Sequence, residues 1–226
     1  MRSKLIAVTA IGLALALPAI AGASTGPKRV QALAAAQTIY LFEHLNGEQI
    51  ASPATCGEGQ PASGFLGWYL LPTLSFTPGN AHFDCRITAR KVVLDLGGLL
   101  AIEDASDMPY TFEDGTLLLF RAGNLERICD DVRPRFVAEP AVATLDGDSI
   151  AGTAVTTPEF PVHVQRTAPL TFWADSVALG HPGVLASTFC GWKAEVPLTR
   201  GKHVIAVDLS ALTGTPTHFR YDITVR

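Results

Sequence analysis

From residue 196 to the C-terminus, apolar and polar positions alternate with a period of two. His203, Ile205, Val207 and Leu209 alternate with Val204, Ala206 and Asp208. After a turn carrying Gly214 and Pro216, Phe219, Tyr221, Ile223 and Val225 alternate with His218, Arg220, Asp222 and Thr224. Successive side chains of a strand point to opposite faces, so the pattern predicts an antiparallel hairpin with one dry and one wet face.

Strand patterning recurs upstream. Phe65, Trp68, Tyr69, Leu70 and Leu71 predict a buried strand over 65–76, and Thr77-Pro78-Gly79-Asn80 a turn. Cys85, Ile87, Val92, Val93, Leu94 and Leu96 predict strand over 83–96. Val142, Leu145 and Ile150 flank Asp146-Gly147, a tight hairpin turn. Phe160, Val162 and Val164 alternate with Pro161, His163 and Gln165, and Leu170, Phe172, Phe189 and Trp192 supply further strands around a loop at 180–183.

Two stretches show helical spacing instead. Val30, Leu33, Ala34, Gln37, Leu41 and Leu45 share a face, which predicts a helix over 28–45 stopped by Asn46-Gly47. A second helix is predicted over 115–132, capped by Asp114 and ended by Pro134, with Leu118, Ala122, Leu125, Ile128 or Cys129, and Val132 as its stripe. The expected fold is mainly β: an antiparallel sandwich, immunoglobulin-like or jelly-roll-like, with two packing helices.

The N-terminus changes the compartment. Arg2 and Lys4 precede an apolar run over 5–17, and Ala19, Ala21 and Ala23 supply small-x-small cleavage sites. This predicts a signal peptide over 1–23, because the apolar run falls short of the ~20 residues of a membrane span. A secreted or periplasmic single domain over 24–226 follows, with no membrane span after cleavage. Cys56, Cys85, Cys129 and Cys190 suit two disulfides in an oxidising compartment. Of three pairings, Cys56–Cys85 with Cys129–Cys190 is preferred, since each pair lies within one half of the chain. The absence of C-x-x-C disfavours a thioredoxin-type redox site and a zinc ribbon. A formal charge of −4 without a basic run argues against nucleic acid as a partner.

Several short motifs carry a resemblance. Cys56-Gly57-Glu58-Gly59-Gln60 leads into the aromatic strand, and Cys85-Arg86-Ile87-Thr88-Ala89-Arg90-Lys91 forms a cysteine-led strand with a basic turn. The chain ends with Trp192, then Pro197-Leu198-Thr199-Arg200-Gly201-Lys202-His203 and Tyr221-Asp222-Ile223-Thr224-Val225. In these the chain resembles a family of exported, signal-peptide-bearing bacterial β-sandwich proteins of uncharacterised activity. It departs at Phe189-Cys190-Gly191, where that family has Asp-Gly-Tyr. The last hairpin is also similar to the closing strands of bacterial immunoglobulin-like modules. The resemblance implies a fold and a compartment, and no activity.

For chemistry, G-x-S-x-G, H-E-x-x-H, Walker and dinucleotide fingerprints are all missing. Of six histidines, His203 and His218 lie on opposite arms of the last hairpin, where a zinc or general-base pair competes with two surface imidazoles. Glu103, Asp104 and Asp107, with Glu113 and Asp114, read as a solvated acidic loop before a calcium site or a carboxylate pair. Asp130-Asp131 opposes the dipole at a predicted helix C-terminus and calls for Arg133 or Arg135. Trp68, Trp173 and Trp192 would form a sugar-binding platform if exposed on one face, and core if buried; Trp192 adjoins Cys190 and suits packing on a disulfide.

The reading is a non-enzymatic binding or interaction protein for a small molecule, glycan or protein, without cofactor, metal or catalytic residues assigned. Trp68, Trp173, Trp192, His203 and His218 are its candidate ligand-binding residues. The alternatives are a secreted hydrolase using scattered histidines and carboxylates, and a structural component whose last strand pairs with a partner.

Overall fold

The computed structural model describes residues 27–44, 56, 64, 67–71, 79–103, 109–164 and 183–226. The predicted signal peptide and Trp173 lie outside the described residues. In chain order the elements are α1 (Pro27–His44), β1 (Tyr69–Leu71), β2 (Gly79–Ile87), β3 (Lys91–Ile102), β4 (Pro109–Thr111), β5 (Leu117–Leu119) and α2 (Leu125–Phe136). There follow β6 (Val142–Leu145), β7 (Asp148–Ser149), β8 (Thr153–Thr156), β9 (Phe160–Val164), β10 (Gly183–Pro197), β11 (Gly201–Asp208), α3 (Ser210–Thr213) and β12 (Thr217–Val225).

The C-terminal alternation folds as predicted. Phe219, Tyr221, Ile223 and Val225 are buried, while His218 and Arg220 are exposed. β11 and β12 pair antiparallel, from Gly201 opposite Val225 to Asp208 opposite His218. They sit inside sheet B, of order β2-β12-β11-β6-β7, and sheet A has the order β1-β3-β10-β8 with β9 also on β10. Both sheets are mixed rather than antiparallel: β1 runs parallel to β3, and β2 parallel to β12. Residue alternation is the same in parallel and antiparallel strands, so the pattern carried no sign of this. Because β2 covers its outer side along all nine residues, β12 is no edge, and the partner-pairing expectation fails there.

The dry faces of the two sheets share one core. Tyr69, Leu71, Val92, Leu94, Leu96, Ala194 and Val196 from sheet A meet Phe83, Ile87, Ile205, Val207, Phe219 and Tyr221 from sheet B. Between Asp95 and Gly98, where Leu96 and Gly97 oppose the single Trp192, β3 carries one residue more than β10, and the register shifts. Beyond this bulge Leu99 and Ala101 turn to α2, packing with Leu125, Cys129 and Cys190. The bulge needs glycine: a Cβ on Gly191 would lie 2.4 Å from both the Gly97 carbonyl oxygen and Gly98 Cα.

The opposite face of sheet A is covered by α1, through Leu33 and Tyr40 against Trp68, Leu70 and Val93, and through Val30 and Ala34 against Val155 and Phe189. Sheet A is therefore buried on both faces. Under α1 it holds an ion pair, Lys193 Nζ to Asp95 Oδ2 at 3.0 Å, with side chains 1% and 6% exposed. Lys193 also donates to Gln37 Oε1 at 2.6 Å and lies 3.9 Å from the Phe189 ring centroid. Burial pulls its pKa below the ordinary lysine value, against the attraction of Asp95.

The second helix starts ten residues later than predicted. Leu117–Leu119 is β5, pairing with β4, and helix begins only at Leu125. Gly115 and Gly123 take φ of 83° and 90°, which breaks a helical path. Asp114 accepts from the Thr116 amide at 2.8 Å, holding a turn rather than capping a helix. Pro134 lies inside the last turn and does not end α2. The described residues hold three helices, and the disulfides are Cys56–Cys85 and Cys129–Cys190, the preferred pairing. Among the described residues no helix is long and apolar enough to cross a membrane.

Candidate binding face

Alternation on β2 sends Phe83, Cys85 and Ile87 inward and His82, Asp84 and Arg86 outward. The same rule on β12 turns His218, Arg220 and Asp222 outward, beside Asp208 on β11. Parallel register sets His82 opposite Arg220 and Asp84 opposite Asp222. The outer face of sheet B thus gathers three acids, two histidines and two arginines from segments far apart in sequence.

Asp222 lies at the centre of this group. Its Oδ2 is 2.7 Å from His82 Nε2, and its Oδ1 is 2.9 Å from Arg220 Nη2. The His82 hydrogen bond, and then Arg220, hold its carboxyl below the usual carboxylate range. One ligand atom each from His82, Asp84 and Asp222 lie within 4.8 Å of one another. Towards the other end of the hairpin, His218 Nδ1 approaches Asp208 Oδ1 at 3.4 Å. Hydrogen bonds from Ser210 hold Asp208 low, with His218 adding to the effect. Between the pairs lies an open concavity of about 580 Å³, lined by Asn80, His82, Thr144, Asp208, His218 and Arg220 among others.

His203 and His218 are not brought together. His203 pairs with Ile223 and His218 with Asp208, so five residues separate them along the hairpin, about 17 Å at strand rise, and opposite parity turns them to opposite faces. His203 makes a different site. Its Nδ1 is 2.8 Å from Asp146 Oδ2, and its Nε2 is 3.0 Å from the Thr199 carbonyl oxygen and 3.2 Å from Thr199 Oγ1. Asp146 Oδ1 also accepts from the Val204 amide at 2.7 Å. Donation from His203 Nδ1 to Asp146 raises the His203 pKa, and the same bond lowers that of Asp146.

The two described tryptophans, Trp68 and Trp192, do not form one platform. Trp68 is buried under α1, with Arg29 5.5 Å and Lys91 5.1 Å from its ring centroid. Trp192 packs against the inter-sheet core rather than within the cluster holding Cys190, and its Nε1 donates to the Val137 carbonyl at 2.9 Å. Of the acidic loop, Asp104 and Asp107 lie outside the described residues, while Glu103 accepts from the Ala186 amide at 3.2 Å. Asp131 pairs with Arg135, one of its two expected partners, and accepts from the Tyr110 hydroxyl.

Sequence reading missed Asp84, Arg220 and Asp222 as a group. The visible signal was His82-Phe83-Asp84, two donors on one face of a strand, but their partner strand follows only from parallel pairing. No protein-family model, curated protein or solved structure matches the chain.

Proposed function

We propose that this is an exported, disulfide-stapled binding protein that engages a polar ligand on the outer face of sheet B. The open concavity between His82, Arg220, His218 and Asp208 carries the proposal. It sets donors and acceptors of both signs around apolar Val142 and Ala206 on a rigid sheet, which suits recognition of a ligand with polar and apolar parts, such as a glycan, small polar molecule or protein. Two disulfides agree with an oxidising compartment.

The test is a thermal-shift panel of neutral and acidic oligosaccharides, amino acids and short peptides. A ligand at a hundredfold excess over Kd stabilises by about 2.7 kcal/mol, an upward Tm shift of several degrees. The expected result is such a shift in the parent protein and its loss in the exposed double variant H218A/R220A. A silent panel, or shifts that survive the double variant, would overturn the proposal.

The hydrolase reading has one point in its favour, the Thr199–His203–Asp146 series. Its chemistry is unfavourable. A general base needs a neutral imidazole with a free lone pair on Nε2 facing the hydroxyl. Here acceptors face both nitrogens, Asp146 at Nδ1 and the Thr199 carbonyl at Nε2, and the pKa is raised, which favours imidazolium. A fluorophosphonate probe should leave Thr199 unlabelled; His203-dependent labelling would restore the hydrolase.

A further inference from the structure

We infer that His82, Asp84 and Asp222 bind a divalent transition-metal ion, best suited to Zn²⁺. The inference deepens the reading of this face as the binding face, and its functional role rests on that reading. Asp84 and Asp222 are register partners on adjacent strands with both side chains outward. Like charges directly opposite each other destabilise a sheet, and a cation between them removes that penalty.

The donor atoms are spaced for it. Ligands at 2.0–2.2 Å from a tetrahedral ion stand about 3.3 Å apart. The three groups present atoms within 4.8 Å of one another, and His82 and Asp84 are exposed, so side-chain rotation closes the site. The His82–Asp222 contact of 2.7 Å has to open by about 0.6 Å to admit the ion. Asp222 is already oriented: Oδ1 is shielded from solvent and faces Arg220, which leaves Oδ2 on the His82 side. The ion pair with Arg220 at the second oxygen favours this orientation of the carboxylate, as outer partners do for metal ligands. Arg220 opposes the incoming charge but occupies only the oxygen the ion does not need.

One imidazole nitrogen and two carboxylate oxygens suit Zn²⁺ better than Ca²⁺, which takes six to eight oxygens. All four cysteines are in disulfides, so no thiolate competes. Three protein ligands leave a coordination position open. Because His82 and Arg220 also line the concavity, a ligand held there adjoins the ion.

Isothermal titration of the untagged mature chain with ZnCl₂ alone tests the site. The expected result is one Zn²⁺ per chain, an affinity at least about tenfold weaker in D84N and in H82Q, and parent affinity in D148N, at an exposed residue of β7. Circular dichroism checks that both ligand variants fold. The absence of saturable binding by the parent, or parent affinity retained in D84N and H82Q, overturns the site. Equal weakening in D148N marks nonspecific binding and overturns it too. The two proposals fail separately. Zinc binding that is lost while H218A/R220A still abolishes the thermal shift removes only the metal; the converse removes only the ligand face.

Discussion

Asp146 sits at φ 53° in the turn between β6 and β7, a left-handed conformation that Asp and Asn tolerate better than other side chains. From there it receives the Val204 amide and His203 Nδ1, tying the turn to β11. His203 binds its proton more tightly in the fold, because of the Asp146 hydrogen bond. Its contribution is complete below the unfolded value near 6.5 and is lost as pH rises through the raised folded value. Asp146 has the opposite sense, contributing above 3.8 and losing that contribution as pH falls through its lowered folded value. The pair therefore stabilises from mildly acidic to neutral pH. D146N keeps the turn preference and removes the charge. With Asp146 46% exposed, the difference from the parent should be only about 0.5–1 kcal/mol at pH 5.5. Urea unfolding at pH 5.5 and pH 9 measures it; the gap should shrink at pH 9, and a constant gap would mean the charge contributes nothing. The turn itself was readable from Asp-Gly. Its partner was not, because which strand lies beside a turn is decided by the tertiary fold.

At the scale of elements, α2 shows how a local pattern misleads. Leu118, Ala122, Leu125 and Ile128 keep helical spacing, yet the first two precede the helix. The true start is fixed from outside. The Glu159 carboxylate accepts from the Gly123 amide at 2.8 Å and from the Leu125 amide at 3.0 Å, while Asn124, the N-cap residue, makes no side-chain capping bond. A cap supplied from 34 residues away leaves no trace in local sequence. E159A should lower stability by about 1 kcal/mol, a fall in Tm of about 2–4 °C, and E159Q should recover part of it through its amide oxygen. Differential scanning calorimetry reads both variants, and an unchanged Tm in E159A would show that α2 is held by packing alone. By contrast α1 and the final hairpin were legible, since their stripes reach the core through their own periodicity. The parallel pairs were not, because β1 reaches β3, and β2 reaches β12, only after the chain has changed sheets.

For the whole molecule, that interleaving distributes cohesion unevenly. Sheet B is joined to sheet A by the shared apolar core, whereas α2 and the β4–β5 hairpin sit beyond the bulge on a small cluster around Leu125, Cys129 and Cys190. The Cys129–Cys190 bridge spans 61 residues and holds this outlying part to β10. Loop-closure entropy assigns it about 4 kcal/mol. Stability is then not uniform, and the part held by the smallest core should open first once the bridge is gone. Hydrogen exchange on C129A/C190A tests this against the parent. Amides of residues 125–136 should exchange much faster, while those of β11 and β12 keep most of their protection. Uniform acceleration across both sheets would mean that the bridge stabilises only by restricting the unfolded chain, and that α2 and sheet B open as one cooperative unit. Retained protection in β11 and β12 would also leave the outer face of sheet B intact in the variant. Ligand and zinc binding there should then survive removal of the bridge, because the His82–Asp222 group depends on the register of β2 and β12 and not on α2.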